Sequence, residues 1–126
     1  MMRALRSISA AAIAAALMTS ATVPSSAIVA GAFDGNWSVI INTLRGDCGS
    51  PLRYAVRIVG GHVQGEDPNY QVAGLVSPNG SIRVMVADGG RSANGSGRLA
   101  GNSGAGLWRT STGDCSGQWT AQRRNW

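Results

Sequence analysis

From Trp37 onward the chain alternates apolar and polar positions in short runs, each closed by turn-forming residues. Trp37, Val39 and Ile41 alternate with Ser38, Ile40 and Asn42, and Leu52, Tyr54, Val56 and Ile58 alternate with Arg53, Ala55 and Arg57. A period of two is that of a strand with one face buried. Gly60-Gly61 has the composition of a two-residue hairpin turn leading into a strand over 62–64. Glu66-Asp67-Pro68-Asn69 predicts a loop, 70–76 a strand, and Ser77-Pro78-Asn79-Gly80 carries turn chemistry at every position. Ile82, Val84 and Val86 then alternate with Arg83 and Met85; 93–100 and 104–110 are glycine-rich strands, and 116–124 closes the series with Trp119 and Ala121 on one face. The expected fold is all-β, about eight short antiparallel strands in a meander. Glycines within the runs, at Gly74, Gly95, Gly97 and Gly106, allow bends and close backbone approach. These features predict a small β-barrel, with a β-sandwich as the alternative.

The N-terminus breaks this pattern. Arg3 and Arg6 precede an apolar, alanine-rich run over 8–18, which is followed by a small-polar stretch containing Pro24. That order is a signal peptide's, and the run is too short for the roughly 20 residues a membrane span needs. Residues 1–32 are therefore assigned to a signal peptide whose helix precedes the domain. Cleavage is expected after Ala27 or after Ala32, and 33–126 forms a single small domain. Export makes the location periplasmic or secreted. It also places Cys48 and Cys115, the only two cysteines, where a disulfide persists. The two ends of the domain echo each other: Gly35-Asn36-Trp37-Ser38 matches Gly117-Gln118-Trp119-Thr120, and Gly46-Asp47-Cys48 matches Gly113-Asp114-Cys115. The first and last strands are accordingly expected side by side, each with a tryptophan plugging one end of the core and with the disulfide tying them.

The Gly-x-Trp opening, the Gly-Ser-Gly-Arg-Leu segment at 95–99 and the Cys-Ser-Gly-x-Trp-x-Ala-x-Arg ending at 115–123 resemble a group of small secreted, single-disulfide proteins of alphaproteobacteria. Some of these carry labels of heme utilisation or adhesion. The resemblance spans the mature chain and implies an exported bacterial protein. The Gly35-x-Trp37 motif is also similar to the opening of lipocalin and avidin barrels, although this chain is shorter than a lipocalin.

Charge and chemistry narrow the function. All 11 basic residues are arginine, and loss of Arg3 and Arg6 leaves nine against 6 acids. That excess is small for a nucleic-acid binder, which would also interleave aromatics with its basic residues. His62 is the only histidine and Glu66 the only glutamate, and Gly95-Ser96-Gly97 has neither the length nor the following helix of a nucleophile elbow. Asp34, Asp47, Glu66, Asp67, Asp88 and Asp114 supply every carboxylate. Of these, Asp47 and Asp114 could approach each other beside the cysteines, though turn-stabilising roles suit them better. Zinc lacks ligands, calcium at Asp88-Gly89-Gly90 lacks acidic spacing, and no spacing pairs His62, Met85, Tyr54 or Tyr70 as heme ligands. No catalytic residue, metal or cofactor is assigned. Arg45-Gly46-Asp47 forms an Arg-Gly-Asp tripeptide in a loop, and Asn36, Asn79 and Asn94 head Asn-x-Ser sequons. An outer-membrane barrel ending at Trp126 is excluded, because Arg124, Gln122, Thr120 and Gln118 would have to face lipid.

The function expected is that of a non-enzymatic exported binding protein, monomeric and not membrane-spanning, whose partner is an envelope protein or a small ligand. A surface composed of Arg45, Asp47, Arg53, Arg57, Arg83 and Asp114 is the candidate for adhesion or polyanion binding, and a small hydrolase is the third reading. A lumen filled by Trp37, Tyr54, Val84 and Trp119 would favour a protein-binding surface. A lined cavity would favour a small ligand.

Overall fold

The computed structural model describes residues 31–49 and 51–125. The signal peptide expected over residues 1–32 lies outside the described residues except for Gly31 and Ala32. Eight strands follow in sequence: β1 (Gly35–Arg45), β2 (Leu52–Val59), β3 (His62–Gly65), β4 (Gln71–Val76), β5 (Ser81–Asp88), β6 (Arg91–Ala100), β7 (Ser103–Thr110) and β8 (Ser116–Arg124). Each pairs antiparallel with the next, and β8 returns to β1, closing the meander into a barrel. Closure leaves no open sheet edge, and the barrel replaces the sandwich alternative. Among the described residues there is no helix long and apolar enough to cross a membrane.

The turns use the residues their geometry demands. Gly60 and Gly61 both have positive φ (57° and 80°), the requirement of the tight turn that sets Val59 opposite His62. Gly80 donates its N–H to the Ser77 carbonyl at 2.8 Å, closing the β4–β5 turn.

The alternation puts Trp37, Val39 and Ile41 of β1, Val56 and Ile58 of β2, Val63 of β3, Ile82 and Val84 of β5, Leu99 of β6 and Trp119 and Ala121 of β8 inside. In the closing β1–β8 pair, Trp37 lies opposite Arg123, Val39 opposite Ala121 and Ile41 opposite Trp119. The expected adjacency of first and last strands is therefore realised. The expectation that each strand's tryptophan plugs one end is corrected. Trp37 closes an end, whereas Trp119 lies along the β6–β7 wall, held by glycines. A Cβ on Gly97 would meet its ring at 2.7 Å and one on Gly106 at 2.6 Å, so only glycine lets the indole lie flat there. Its Nε1 donates to the Ser96 carbonyl at 3.3 Å. Trp108 repeats the arrangement one strand over, packed on Gly117 with its Nε1 donating to the Asn42 carbonyl of β1 at 3.1 Å.

Candidate ligand-binding cavity

A meander barrel has two ends, and the chain builds them differently. The β2–β3, β4–β5 and β6–β7 turns lie at one end with residues 31–34; the other four connections lie at the opposite end. The first end is sealed. Trp37, 1% exposed, donates its Nε1 to the Phe33 carbonyl at 2.9 Å. Arg123, the inward residue at the end of β8, stacks on the Trp37 ring at 5.0 Å. Its guanidinium reaches the carbonyls of Asp34 (2.8 Å), Ala32 (2.8 Å) and Gly101 (3.0 Å). The Asp34 carboxylate accepts from the N–H groups of Gly60 (2.7 Å) and Gly61 (3.2 Å). Burial alone would raise its pKa. The N–H donors of Gly60, Gly61 and Gly31 and the Arg123 charge outweigh that and hold it below the ordinary aspartate value.

Above this plug the lumen is not filled. A cavity of about 360 Å³ runs through the barrel, walled by Val39, Ile41, Val56, Ile58, Val72, Val84, Val86, Trp108 and Trp119. Val39, Ile41, Val72, Val84 and Trp108 are inward yet only partly buried, because they face the void. The volume lies within the range of sites that enclose small organic molecules. An eight-stranded barrel is just wide enough for such a choice between side chains and a ligand.

The far end forms the mouth, where the lining turns polar with Thr43, Asp88, Arg91, Ser92 and Thr110. Cys48 and Cys115 are bonded across it, with Cα atoms 6.1 Å apart. The bond ties the β1–β2 loop to the start of β8, as the sequence predicts. Arg91 donates to Asp114 at 3.1 Å, and Thr110 and Thr112 each donate a hydroxyl to the same carboxylate at 2.6 Å. Those hydroxyls are the main cause that lowers the Asp114 pKa, which suits a structural anchor and not a general acid. Across the mouth Tyr54 and Tyr70 meet edge to face, 5.1 Å between centroids. The Tyr54 phenol is pushed up, by burial first and then by Tyr70 and Asp88.

The sequence-nominated residues divide between these regions. Asp47 and Asp114 stand at the mouth, while His62 is exposed on β3 beside the sealed end. The three do not converge on one cleft. Cys48, Cys115 and Asp114 bring their sulfur and oxygen atoms within 4.8 Å, but both sulfurs belong to the disulfide, so neither is a thiolate that could bind a metal. Arg45 and Asp47 are exposed, and Gly46 between them has φ 92° and lies against Cys115. Arg53, Arg57 and Arg83 project outward from the wall and are exposed. Arg57 approaches Glu66 at 3.7 Å.

Arg123 was missed as a site residue by sequence reasoning. The one available signal was the period of two, which turns inward only one of the adjacent Arg123 and Arg124. No family model, curated protein or solved structure matches this chain.

Proposed function

We propose that this protein is a non-enzymatic, exported carrier or sensor that holds a small apolar or amphipathic molecule inside its barrel. One observation carries the reading: an apolar lumen of about 360 Å³, sealed at one end by Trp37 and Arg123 and open at the other. A lumen of this lining gains free energy by taking apolar surface out of water. The polar mouth would face the hydrated end of an amphipathic ligand. The disulfide is compatible with an oxidising, extracytoplasmic location. The lumen wall is chiefly valine, isoleucine and tryptophan, and its hydroxyl and carboxylate groups gather at the mouth, which supports binding over hydrolysis.

The test is isolation of the protein from its native host without reductant, with intact mass recorded under native and denaturing conditions. A mass carried under native conditions and lost on denaturation supports the proposal. In parallel, the protein is titrated with N-phenyl-1-naphthylamine, a dye whose emission rises in apolar surroundings. Val84 projects into the lumen, and Val84→Trp is expected to weaken dye binding at least about tenfold while preserving the far-ultraviolet circular dichroism. Dye binding unaffected by Val84→Trp, or no binding by the folded protein, would overturn it.

A further inference from the structure

The charges of this barrel are sorted by position. Asp34 sits at the sealed end, and Asp47, Glu66, Asp67, Asp88 and Asp114 all sit at the mouth or in its loops. No acidic side chain occupies an outward position on any strand among the described residues, whereas arginines recur around the wall. On the β4–β7 side these arginines alternate with apolar side chains that the core does not use. Leu75, Arg83, Ser96 and Leu107 are successive register partners across four strands, and Met85, Asn94 and Arg109 form the next row. Leu75, Met85 and Leu107 are 61%, 53% and 63% exposed, and Leu44, which borders the same depression, is 67% exposed. Among the described residues, four of the six exposed large hydrophobics thus gather around Arg45, Arg83 and Arg109. None of those three arginines has a salt bridge among the described residues.

We propose that this wall docks the protein onto an anionic phospholipid bilayer. Guanidinium groups fork onto phosphate oxygens, and the anionic leaflet attracts each arginine near its surface. The protruding leucines and Met85 enter the boundary between headgroups and acyl chains, as apolar faces of peripheral proteins do. Single-stranded nucleic acid fits less well: its bases stack on aromatic side chains, and none points outward here among the described residues. The arginines also keep the wall out of the hydrocarbon, so the protein lies on the membrane and does not span it. This surface is independent of the lumen, and its failure would leave the ligand reading untouched.

The experiment is co-sedimentation with large vesicles, using the protein in the form its native host produces. Vesicles of phosphatidylcholine alone are compared with vesicles containing phosphatidylglycerol. Arg83→Gln/Arg109→Gln tests the wall. Arg53→Gln/Arg57→Gln removes the same charge from β2, on the opposite side of the barrel. The expected result is binding to the phosphatidylglycerol vesicles only, weakened by added salt. The wall double variant should lose about tenfold or more, and the β2 double variant less than about threefold. Leu75→Ser/Leu107→Ser should weaken binding with no change in charge. Equal losses in both arginine variants, binding indifferent to phosphatidylglycerol, or equally tight binding to a DNA oligonucleotide would each overturn the assignment.

Discussion

Arg123 stacks its guanidinium 5.0 Å from the centroid of the Trp37 ring, and the two are register partners on the last and first strands of the barrel. The contact joins the closing seam to the plug. It stacks a cation on an indole whose own N–H is satisfied by Phe33, while the guanidinium binds three backbone carbonyls. Fold closure and lumen floor are therefore one structure.

Arg123→Ala is expected to lower stability by about 2–4 kcal/mol, through the lost carbonyl bonds and the lost ring contact. Arg123→Lys should recover only part, since an ammonium group cannot present the guanidinium fork. Urea denaturation measures both. A loss below about 1 kcal/mol for the alanine variant would mean that Trp37 packing alone holds the floor.

Gly106→Ala should destabilise the barrel by about 1–3 kcal/mol and alter tryptophan emission, because its methyl would run into the Ser96 carbonyl of β6 and meet the Trp119 indole at 2.6 Å. Gly90, in the β5–β6 turn, has open space around it, and a methyl added there would meet nothing within 4 Å. Gly90→Ala should change stability by less than about 0.5 kcal/mol. Thermal melts followed by fluorescence distinguish the two.

Removing the disulfide, by reduction or as Cys48→Ala/Cys115→Ala, frees a closure between residues 67 apart in sequence. The expected loss is roughly 4 kcal/mol, read from denaturant midpoints with and without reductant. An unchanged midpoint would show that the β1–β8 seam already restrains that loop in the unfolded ensemble.

The Asp34 carboxyl titrates lower in the folded protein than in the unfolded chain. Its ionised form therefore contributes stability at pH above the ordinary value of 3.8, and that contribution is lost as pH falls through the folded value. Wild-type and Asp34→Asn stabilities should differ near pH 6 and converge as pH falls below the ordinary aspartate value of 3.8. Asp114 has the same sign, so the variant retains a shallower acid dependence. A difference constant with pH would show that the carboxylate charge is not what the Gly60 and Gly61 amides recognise.

The two cleavage positions expected from the sequence would have different structural consequences. Gly31 accepts the Asp34 N–H at 3.1 Å, and the Ala32 carbonyl accepts from Arg123 at 2.8 Å. Cleavage after Ala32 removes both partners, and cleavage after Ala27 keeps them. N-terminal sequencing of the exported protein should therefore begin at Ile28. A start at Phe33 would mean that the sealed end tolerates the loss of these contacts.

Much of this was legible in the sequence because it is local. Alternation marked β1, β2, β5 and β8, turn residues bounded β3 and β4, and β6 and β7 were legible as glycine-rich runs; the ends shifted by up to three residues, as where β1 continues to Arg45 and β6 begins at Arg91. Gly60-Gly61 announced its turn because two consecutive positive φ angles exclude most other residues. Cys48 and Cys115 foretold the disulfide because they are the only two cysteines, and the matching Gly-Asp-Cys segments placed it between the first and last strands.

The sequence by itself determined a meander of short strands, its turns, its disulfide and most of the side chains that face inward, since each depends on short-range periodicity or on a few residues with special backbone demands. It left barrel and sandwich both open, and closure came from the β1–β8 pairing. Only the tertiary structure decided that the lumen stays open. Whether Trp119 crosses the barrel or lies on its wall depends on Gly97 and Gly106 of two other strands, and whether Arg123 seals the floor depends on its register with Trp37. Both are set by long-range pairing around the closed barrel, where the stagger of eight strands fixes how much of the interior the side chains fill.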